Sequence, residues 1–549
     1  MREQHQVLLS PFQPNDLHQM PHPALTLNLR LAWERMRNEV PDRAFVRCMH
    51  ELELIKLNLG GWLDDIDNKL KTGTYVFGNM SICNVPKGRY LVRPGSILTL
   101  EDTLVYYGLV GSAFEKIYDL IGWSQDRVDY SYRLNGAQQK SEWILNRFKG
   151  WENFRVKSVA KLQKYSHVVV ADIAGYYENI DLSILGSQLR SLGISAGECD
   201  LLSRALNRWA STSGRGLPQG CIPSDILAKV YMDPIDKALA NMGYDHYRYV
   251  DDIRIFCDSE QEAKKAVIAL TVLLREKGLS LQSAKTKIYH KHDAVKKIEA
   301  IQPIIIDIIN KLKKDPVELL LANGSVDDSS QDVEEDEEDI NKVHIRIIKE
   351  AFDTFFTKGD YPFDKSLFRF LMKRLYQEKD DHAAHYCDFV FLMHPEEMHT
   401  VLTYLTEVDY GNSLSLIEEF LCSNNSVYEY QNYQLVEWLN NRSIIPTARL
   451  LARVRQLAFD SSSPEYLSAV TTEFVGRHGN AADLDRLEQM CKASNGLVQT
   501  KLMCTLARLE KSRRNGLFRR LEDAFFHNKS VIAYVANMDN LTLKVKRKK

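Results

Sequence analysis

The chain lacks the features that mark membrane-spanning, secreted and zinc-binding proteins. Its 549 residues contain no apolar run of the roughly 18 residues that a membrane helix needs. Nine cysteines occur without a Cys-x-x-Cys pair, which argues against a zinc ribbon and a disulfide framework. The N-terminal stretch Met1–Met20 is rich in Gln, His and Pro and has no signal-peptide core. These absences predict a cytoplasmic protein without a membrane partner.

The sequence also lacks the positive net charge that is typical of proteins that grip long duplexes. Its formal net charge is −2. Nine carboxylates are concentrated in the run from Asp327 to Asp339, and the rest of the chain is positive without it. This run is interpreted either as a solvated loop or as a nucleic-acid mimic that shields a basic groove.

Several common catalytic motifs are absent. There is no Walker-type glycine loop and no His-Glu-x-x-His sequence, and no Ser-His-Asp triad can be picked out. The most informative stretch is the carboxylate pair Asp251-Asp252, which lies between Arg248-Tyr249-Val250 and the apolar run Ile253 to Phe256. A bare Asp-Asp pair is usually a solvated turn. The flanking runs instead predict a β-hairpin with both carboxylates at its tip.

Adjacent carboxylates repel one another and have poor β propensity, so the pair needs a compensating ligand. Two Mg²⁺ ions would serve, because hard cations prefer carboxylate oxygens and a metal pair can clamp a phosphoryl displacement. A further carboxylate is needed from a neighbouring strand. The apolar run Val168 to Ala171 predicts a buried strand that ends in Asp172.

Four segments in this order resemble the successive palm motifs of reverse transcriptases, and two upstream segments more weakly resemble fingers motifs. The palm segments are Asp172-Ile173-Ala174-Gly175-Tyr176-Tyr177, Gly216-Leu217-Pro218-Gln219-Gly220 with Ser224-Asp225-Ile226-Leu227-Ala228, Tyr249-Val250-Asp251-Asp252, and Gly278-Leu279-Ser280-Leu281 with Lys285-Thr286-Lys287. The fingers segments are Lys87 to Pro94 and Tyr130 to Leu134.

Within that family, the palm motifs look most like those of bacterial defence-associated reverse transcriptases of the abortive-infection and unknown-group classes. Pro223-Ser224-Asp225 departs from the Ser-Pro order that is usual in intron and retroviral enzymes. The resemblance implies a polymerase that uses deoxynucleoside triphosphates, makes a DNA product and acts in antiviral defence. It also implies protein-primed or template-independent synthesis and assembly into homo-oligomers.

The resemblance implies a role for individual residues. Asp172, Asp251 and Asp252 are the predicted catalytic residues, and together with Ile173 they are the predicted ligands of Mg²⁺ or Mn²⁺. Predicted nucleotide-binding residues are Ile173, Tyr177, Gln219, Lys285 and Arg93, with Lys87 and Arg89 as alternatives to Arg93. The ring of Tyr177 would exclude a 2′-hydroxyl, Gln219 would lie against the nucleotide and template, and Lys285 would approach the triphosphate.

Aromatic and basic residues alternate between Trp143 and Arg155. The rings belong to Trp143, Phe148, Trp151 and Phe154. They are interpreted either as packing against the palm or as a surface on which a single strand stacks.

The predicted fold is an α+β right-hand polymerase palm with fingers, followed by an all-α HEAT-like helical repeat domain. The boundaries are 1–300 for fingers and palm, 301–343 for a linker with the acidic run, and 344–549 for the helical domain. Apolar positions recur at helical spacing throughout the last region, although no sharp repeat can be written down. Its predicted helices are 345–356, 365–376, 396–405, 413–421, 433–439, 447–457, 482–493 and 497–509.

Two other functions stay open. The first is a conventional RNA-templated reverse transcriptase of retron or intron type, which would need a partner RNA or RNA template. The second is a protein-binding helical scaffold with an idle palm, which the retained carboxylates argue against.

Overall fold

The computed structural model describes residues 22–299 and 345–533, except 48, 89, 137–140, 359–360, 424, 495, 523–528 and 530. The N-terminal stretch, the predicted linker 301–343 and its acidic run lie outside the described residues. Contacts divide the chain into two compact units. Unit 1 comprises Met1–Cys83 and Pro94–Ile298, and unit 2 comprises Asn84–Arg93 and Glu299–Lys549. Residues 84–93, which the sequence assigned to the first domain, thus group with unit 2, and the boundaries near 300 and 344 stay a prediction.

Unit 1 mixes helices with two sheets. Its helices are α1 (Leu29–Arg43), α2 (Met49–Lys56), α3 (Leu59–Lys71), α4 (Leu100–Ser112), α5 (Phe114–Ile121), α6 (Arg147–Lys161), α7 (Tyr176–Asn179), α8 (Leu182–Ser191), α9 (Ala196–Trp209), α10 (Ile222–Asn241), α11 (Glu260–Glu276) and α12 (Lys291–Glu299). Strands β1 (Ser81–Lys87) and β2 (Leu91–Ile97) form a two-stranded sheet that includes residues of both units. The other strands are β3 (His167–Asp172), β4 (Asp245–Tyr249), β5 (Asp252–Cys257) and β6 (Lys287–His290).

The strands β3 to β6 form one sheet in the order β4-β5-β3-β6, with antiparallel neighbours. The run Val168-Val169-Val170 places β-branched residues at the centre of this sheet, where they fit the pleated, buried surface. Helix α11 packs on β3 and β5 through small and branched side chains. Its buried residues are Ala263, Ala266, Leu270 and Leu274.

Local sequence signals fix several helix ends in unit 1. Ser195 and Glu198 form a capping box at the start of α9, and the Ser259 hydroxyl accepts from a backbone N–H at the start of α11. Helix α10 is buried along most of its length from Ile222 to Leu239. It therefore runs through the core of the unit and carries the residues that follow the Gly216–Gly220 motif.

Every element described in unit 2 after residue 344 is helical. The α-helices are α13 (Ile345–Phe352), α14 (Lys365–Gln377), α15 (Cys387–Met393), α16 (Met398–Glu407), α17 (Ser413–Cys422), α18 (Glu429–Asn440), α19 (Ala448–Ala458), α20 (Glu465–His478), α21 (Ala481–Ala493), α22 (Gly496–Thr505) and α23 (Lys511–Leu521). A π-helical turn, Asp353–Thr357, follows α13, and short 3₁₀ helices occur at His382–Tyr386, Pro395–Glu397 and Leu506–Arg508.

The predicted helical character of this region is confirmed, but some boundaries were wrong. The predicted helix 345–356 changes to π geometry at Asp353, and the predicted helix 497–509 is α-helical only to Thr505. Three helices, α15, α20 and α23, were missed. Alternate helices contact one another, since α14, α16, α18, α20 and α22 form one series of neighbours and α15, α17 and α19 form another.

Within the described part of the chain, no helix combines the length and apolar character that crossing a membrane requires.

Candidate active site

Two of the predicted catalytic carboxylates lie opposite each other across neighbouring strands. Asp172 is the last residue of β3 and pairs in register with Asp252, the first residue of β5. Directly opposed residues of an antiparallel pair project from the same face of the sheet. Tyr249 of β4 also pairs with Asp252 and therefore shares that face. The register brings one end of three strands together around these side chains.

Asp251 lies in the turn between β4 and β5, as the predicted hairpin requires. Val250 adopts a φ of +57°, which is unusual for a β-branched residue. The Val250 carbonyl accepts a hydrogen bond from Arg248 Nη1 at 3.2 Å, and the Asp251 carbonyl accepts one from the Ile173 N–H at 3.2 Å. These bonds hold a strained turn in place, a feature that clusters at functional sites.

The segment after Gly278 borders the same carboxylates. Ile173 forms a bridge with Leu281, and the Gln282 N–H donates to the Asp172 carbonyl at 2.7 Å. This pairing places Lys285 close enough for its Nζ to donate to Asp172 Oδ1 at 2.8 Å. The structure therefore brings the predicted residues Asp172, Ile173, Asp251, Asp252 and Lys285 into one group.

The concentrated negative charge of this group changes the pKa values of its members. Burial, together with the neighbouring Asp251 and Asp172 charges, raises the pKa of Asp252 to about 6. Burial by itself would lower the pKa of Lys285, but the bond to Asp172 and the other two carboxylates raise it overall. The site therefore favours positive charge.

The donor chemistry of the group suits hard divalent cations, which prefer carboxylate oxygens. The Lys285 ammonium forms an ion pair with one oxygen of Asp172, an oxygen that a bound metal would use. Among the described residues, no three Asp, Glu, His or Cys side chains are already gathered as a ready metal site. A metal would therefore bind the same carboxylates once the Lys285 ammonium has moved away from Asp172.

The raised pKa of Asp252 predicts a pH effect on the metal-free protein. In the folded protein Asp252 keeps its proton up to about pH 6. In the unfolded chain an Asp side chain ionises at about pH 3.9. The folded state therefore binds more protons in this window, and the free energy of unfolding falls as the pH rises through it. Asp252→Asn removes this loss and should stabilise the neutral protein by on the order of 2 kcal/mol.

The measurement is urea unfolding of wild type and variant in chelator at about pH 4 and about pH 7. Asp181→Asn is a matched control of opposite sign. Burial would raise the pKa of Asp181, but hydrogen bonds from Ser183 and Ile184 lower it overall. If the stability of Asp252→Asn relative to the wild type is no greater at the higher pH than at the lower one, the proposed charge repulsion is wrong.

Tyr177 is held from two elements that are distant in sequence. Its hydroxyl donates to Asp225 Oδ1 at 2.5 Å, and Arg43 of α1 forms an ion pair with the other oxygen of Asp225. Arg43 also donates to the Tyr132 hydroxyl at 3.3 Å and lies over the Tyr132 ring at 4.8 Å. The Asp225 that departs from the usual motif is therefore the residue that fixes the hydroxyl end of Tyr177.

Tyr176 is a core residue on helix α7. It is buried, and its hydroxyl donates to the Ala228 carbonyl at 2.6 Å. Gly175, at the start of α7, has a φ of +53°, which glycine adopts at little cost. After this turn, the hydroxyls of Tyr176 and Tyr177 both donate to residues of α10.

Gln219 lies at a cleft beside Tyr177, without a described bond to the carboxylates. Its N–H donates to Ser96 Oγ at 2.9 Å, and its Nε2 donates to Glu178 Oε1 at 3.4 Å. The cleft has a volume of about 270 Å³ and is lined by Met80, Ile82, Pro94, Ser96, Glu178, Trp209, Ser211, Gly216, Leu217 and Gln219. Gly220 follows with a φ of +101° and lies against Phe45.

The predicted triphosphate ligands on the β1–β2 hairpin remain predictions. Arg93 and Lys87 are exposed and belong to unit 2, and Arg89 lies outside the described residues.

A buried ionic network lies beneath the carboxylate hairpin, and sequence reasoning missed it. Arg248 bonds to Asp129 at 2.8 Å and to Asp236 at 2.7 Å, and Lys229 bonds to Asp129 at 2.6 Å. Burial alone would raise the pKa of Asp236, but the charge of Arg248 and the hydrogen bonds from His246 and Arg248 together lower the pKa to about 2. The available signal was Arg248 itself, a charged residue between Tyr247 and Tyr249 in β4.

Comparison with known families addresses the region that contains this site. Residues 125–320 match the family described as reverse transcriptase (RNA-dependent DNA polymerase). The chain carries a reverse transcriptase domain. Asp172, Asp251 and Asp252 all lie within the matched residues. The predicted resemblance is confirmed at the level of the domain.

The reverse transcriptase domain also has a weak relative among curated proteins. The putative COX1/OXI3 intron 1 protein of Saccharomyces cerevisiae is 22% identical over 218 residues, which are 38% of this chain and 24% of that protein. The chain therefore spans about a quarter of the length of this relative.

Two solved telomerase structures show slight overall likeness. Telomerase from Candida albicans with a TWJ fragment of telomeric RNA is 12% identical, with 71% of each chain covered and a TM-score of 0.30. Apo telomerase from Candida tropicalis is 11% identical, with 80% of this chain and 68% of that chain covered and a TM-score of 0.30.

Proposed function

We propose that this protein is a divalent-metal-dependent, RNA-directed DNA polymerase. The observation that carries the proposal is the register of Asp172 against Asp252, with Asp251 in the adjoining turn, inside the reverse transcriptase domain. Three carboxylates at the adjoining ends of β3 and β5 are suited to phosphoryl transfer. In that reaction the protein supplies positioning and charge rather than covalent chemistry.

In this proposal Asp172, Asp251 and Asp252 hold Mg²⁺ or Mn²⁺, and Ile173 helps to bind the nucleotide beside them. The bound metals would neutralise the triphosphate and lower the pKa of the attacking hydroxyl. Lys285, which bonds to Asp172, is suited to bind the negatively charged triphosphate and to give a proton to pyrophosphate.

An RNA template is the proposed substrate strand. The description of the matched family as an RNA-dependent DNA polymerase supports this choice over template-independent synthesis. The test is to supply deoxynucleotides with a DNA primer on RNA, the same primer on DNA, or no template. We expect extension on RNA and none without metal. Equal incorporation with no template would instead support the template-independent alternative.

A role in phage defence is the more specific form of the proposal, and it depends on the motif Arg248 to Ile253 and on Asp225 in place of proline. The contacts between alternate helices of unit 2 are those that a HEAT-like solenoid would make. Such a scaffold would support homo-oligomers or a partner protein. The corresponding test is protection of bacterial cells from phage by the wild type and not by an Asp251→Asn variant.

Tyr177 gives a prediction about sugar choice. Tyr177→Val should admit ribonucleotides, because the ring that would meet a 2′-hydroxyl is removed. Discrimination between matched deoxy- and ribonucleotides should fall by about 1–3 kcal/mol, the scale of pocket-shape selectivity. The measurement is the ratio of kcat/KM for the two nucleotides.

Two further variants separate the ring from its anchor. Tyr177→Phe keeps the ring and should keep most of the discrimination. Asp225→Asn weakens the bond to the hydroxyl and the pair with Arg43, so it should shift discrimination in the same direction as Tyr177→Val. Unchanged discrimination in Tyr177→Val would assign the sugar gate to another residue.

A further inference from the structure

Helix α6 carries two exposed aromatic rings close to the carboxylate hairpin. Phe148 is 73% exposed and Trp151 is 44% exposed, whereas Phe154 and Ser158, also on α6, are fully buried. Trp143, which precedes the helix, is also buried. Trp143 and Phe154 therefore agree with the packing interpretation. Phe148 and Trp151 agree with the interpretation as an exposed surface.

The exposed residues share one face of α6. Phe148, Trp151 and Arg155 are separated by three and four positions, a spacing that aligns side chains along a helix. The Asn146 side chain caps the helix by accepting from the backbone N–H of Phe148 and of Lys149, so the start of this face is fixed. Single exposed apolar residues are common on proteins, but two large rings within one turn form a patch.

This face leads to the active site. The Trp151 ring meets the Tyr249 ring edge-on, with centroids 5.0 Å apart, and Tyr249 is the cross-strand neighbour of Asp252. Phe154 lies behind them, 5.9 Å from Tyr249, with the Arg254 guanidinium over its ring at 4.0 Å. The patch is thus continuous, through Trp151 and Tyr249, with the sheet face that bears Asp172 and Asp252.

Charge identifies the kind of ligand. The chain has a net charge of −2, but α6 contains five basic residues and one acidic residue, Glu152. Lys149 and Lys157 are exposed, and Arg155 is partly exposed next to Trp151 in the helical face. Basic side chains interleaved with open aromatic rings suit unpaired nucleotides, whose bases stack while the phosphates meet the cations.

We propose that Phe148, Trp151 and Arg155 form a stacking surface that binds a single strand of nucleic acid on its way to the carboxylates. The proposal extends the polymerase function proposed above to a binding site for unpaired template or primer. Stacking on a sequence-tolerant aromatic surface would also help a chain of near-neutral charge to retain a strand that phosphate contacts alone hold weakly.

The test measures binding without synthesis, with the full-length protein in chelator and without nucleotides. The probes are end-labelled oligo(dT) and oligo(U) of about 20 nucleotides and a blunt duplex of equal length, followed by fluorescence anisotropy. Phe148→Ala should weaken binding of a single strand by about 5- to 100-fold, the range measured for lost base stacking. Comparison of oligo(dT) with oligo(U) tells whether the surface prefers DNA or RNA.

Arg155→Gln should instead change the salt dependence. Loss of one phosphate contact should make the plot of log affinity against log salt less steep by about 0.7. Phe389→Ala is the matched control, because Phe389 is a 42% exposed ring in unit 2, away from α6 in the sequence. It should bind both oligonucleotides as the wild type does.

Several results would overturn the proposal. One is a single-strand affinity of Phe148→Ala that lies within about twofold of that of Phe389→Ala. Another is a loss of duplex affinity in Phe148→Ala as large as its loss of single-strand affinity. A change in sedimentation of Phe148→Ala without oligonucleotide would place the ring in an interface between copies. Failure of the polymerase function is distinguishable, because the binding assay contains neither metal nor nucleotides. A wild type that binds strands through Phe148 yet never extends a primer would keep this surface and remove the polymerase proposal.

Discussion

Replacing Asp251 and Asp252 together by Asn is expected to abolish deoxynucleotide incorporation. Two of the three carboxylates that would hold the metals are removed, while Asp172 and Lys285 keep their bond. Metal stabilisation of a phosphoryl-transfer transition state is worth several kcal/mol, which corresponds to a loss of about a thousandfold or more. The measurement is the rate of primer extension with saturating Mg²⁺, repeated with Mn²⁺.

The same variant should remain folded, and this separates chemistry from stability. Asp252 is destabilising when ionised, because burial and the neighbouring Asp251 and Asp172 raise its pKa to about 6. Neutral amides relieve that repulsion, so the unfolding midpoint in chelator should be equal to or above that of the wild type. Asp258→Asn is a matched control, since Asp258 follows β5 and lies outside the carboxylate group. Full incorporation by the double variant would refute the polymerase assignment.

The carboxylate site was predictable because its signals are local. An apolar run that ends in Asp172 and a hairpin tip at Asp251-Asp252 are patterns within a few residues, and strand pairing brings them together. The partners of Tyr177 were not predictable in the same way. Arg43 and Asp225 are 182 positions apart in the sequence, and neither periodicity nor composition encodes such a pairing. Asp225 was visible only as a departure from the usual motif.

The missed helix α20 shows a second limit of pattern reading. Amphipathic helices are found by an apolar stripe, but Tyr466 to Gly476 is buried around almost the whole helix and has no such stripe. Thr471 and Thr472 add polar residues that look like a break. In the structure their hydroxyls donate to carbonyls three and four residues earlier, which satisfies them within the helix.

The ionic network under the hairpin shows how the strained turn is supported. Arg248 reaches Asp129, Asp236 and the Val250 carbonyl at once, so it ties the start of the turn to two buried carboxylates. Lys229 and His246 complete the network at Asp129 and Asp236. Buried charges are stable only when paired and hydrogen-bonded. The turn that carries Asp251 is therefore expected to depend on a residue that never touches substrate.

Arg248→Met is expected to destabilise unit 1 by about 3–5 kcal/mol, because it leaves Asp129 and Asp236 with incomplete pairing in a buried environment. Arg248→Lys keeps the charge but loses the fork that bonds both carboxylates, and its loss should be smaller. The measurement is urea unfolding followed by tryptophan fluorescence, since six of the seven tryptophans belong to unit 1.

The matched control for this prediction is Arg37→Met, which removes an arginine from a surface pair with Glu34 whose side chains are 39% and 32% exposed. Its cost should be no more than about 1 kcal/mol. If Arg248→Met costs as little as the control, the network does not support the fold. If it unfolds with the expected loss while Arg248→Lys retains both stability and primer extension, one buried cation at this position is sufficient to hold the catalytic turn.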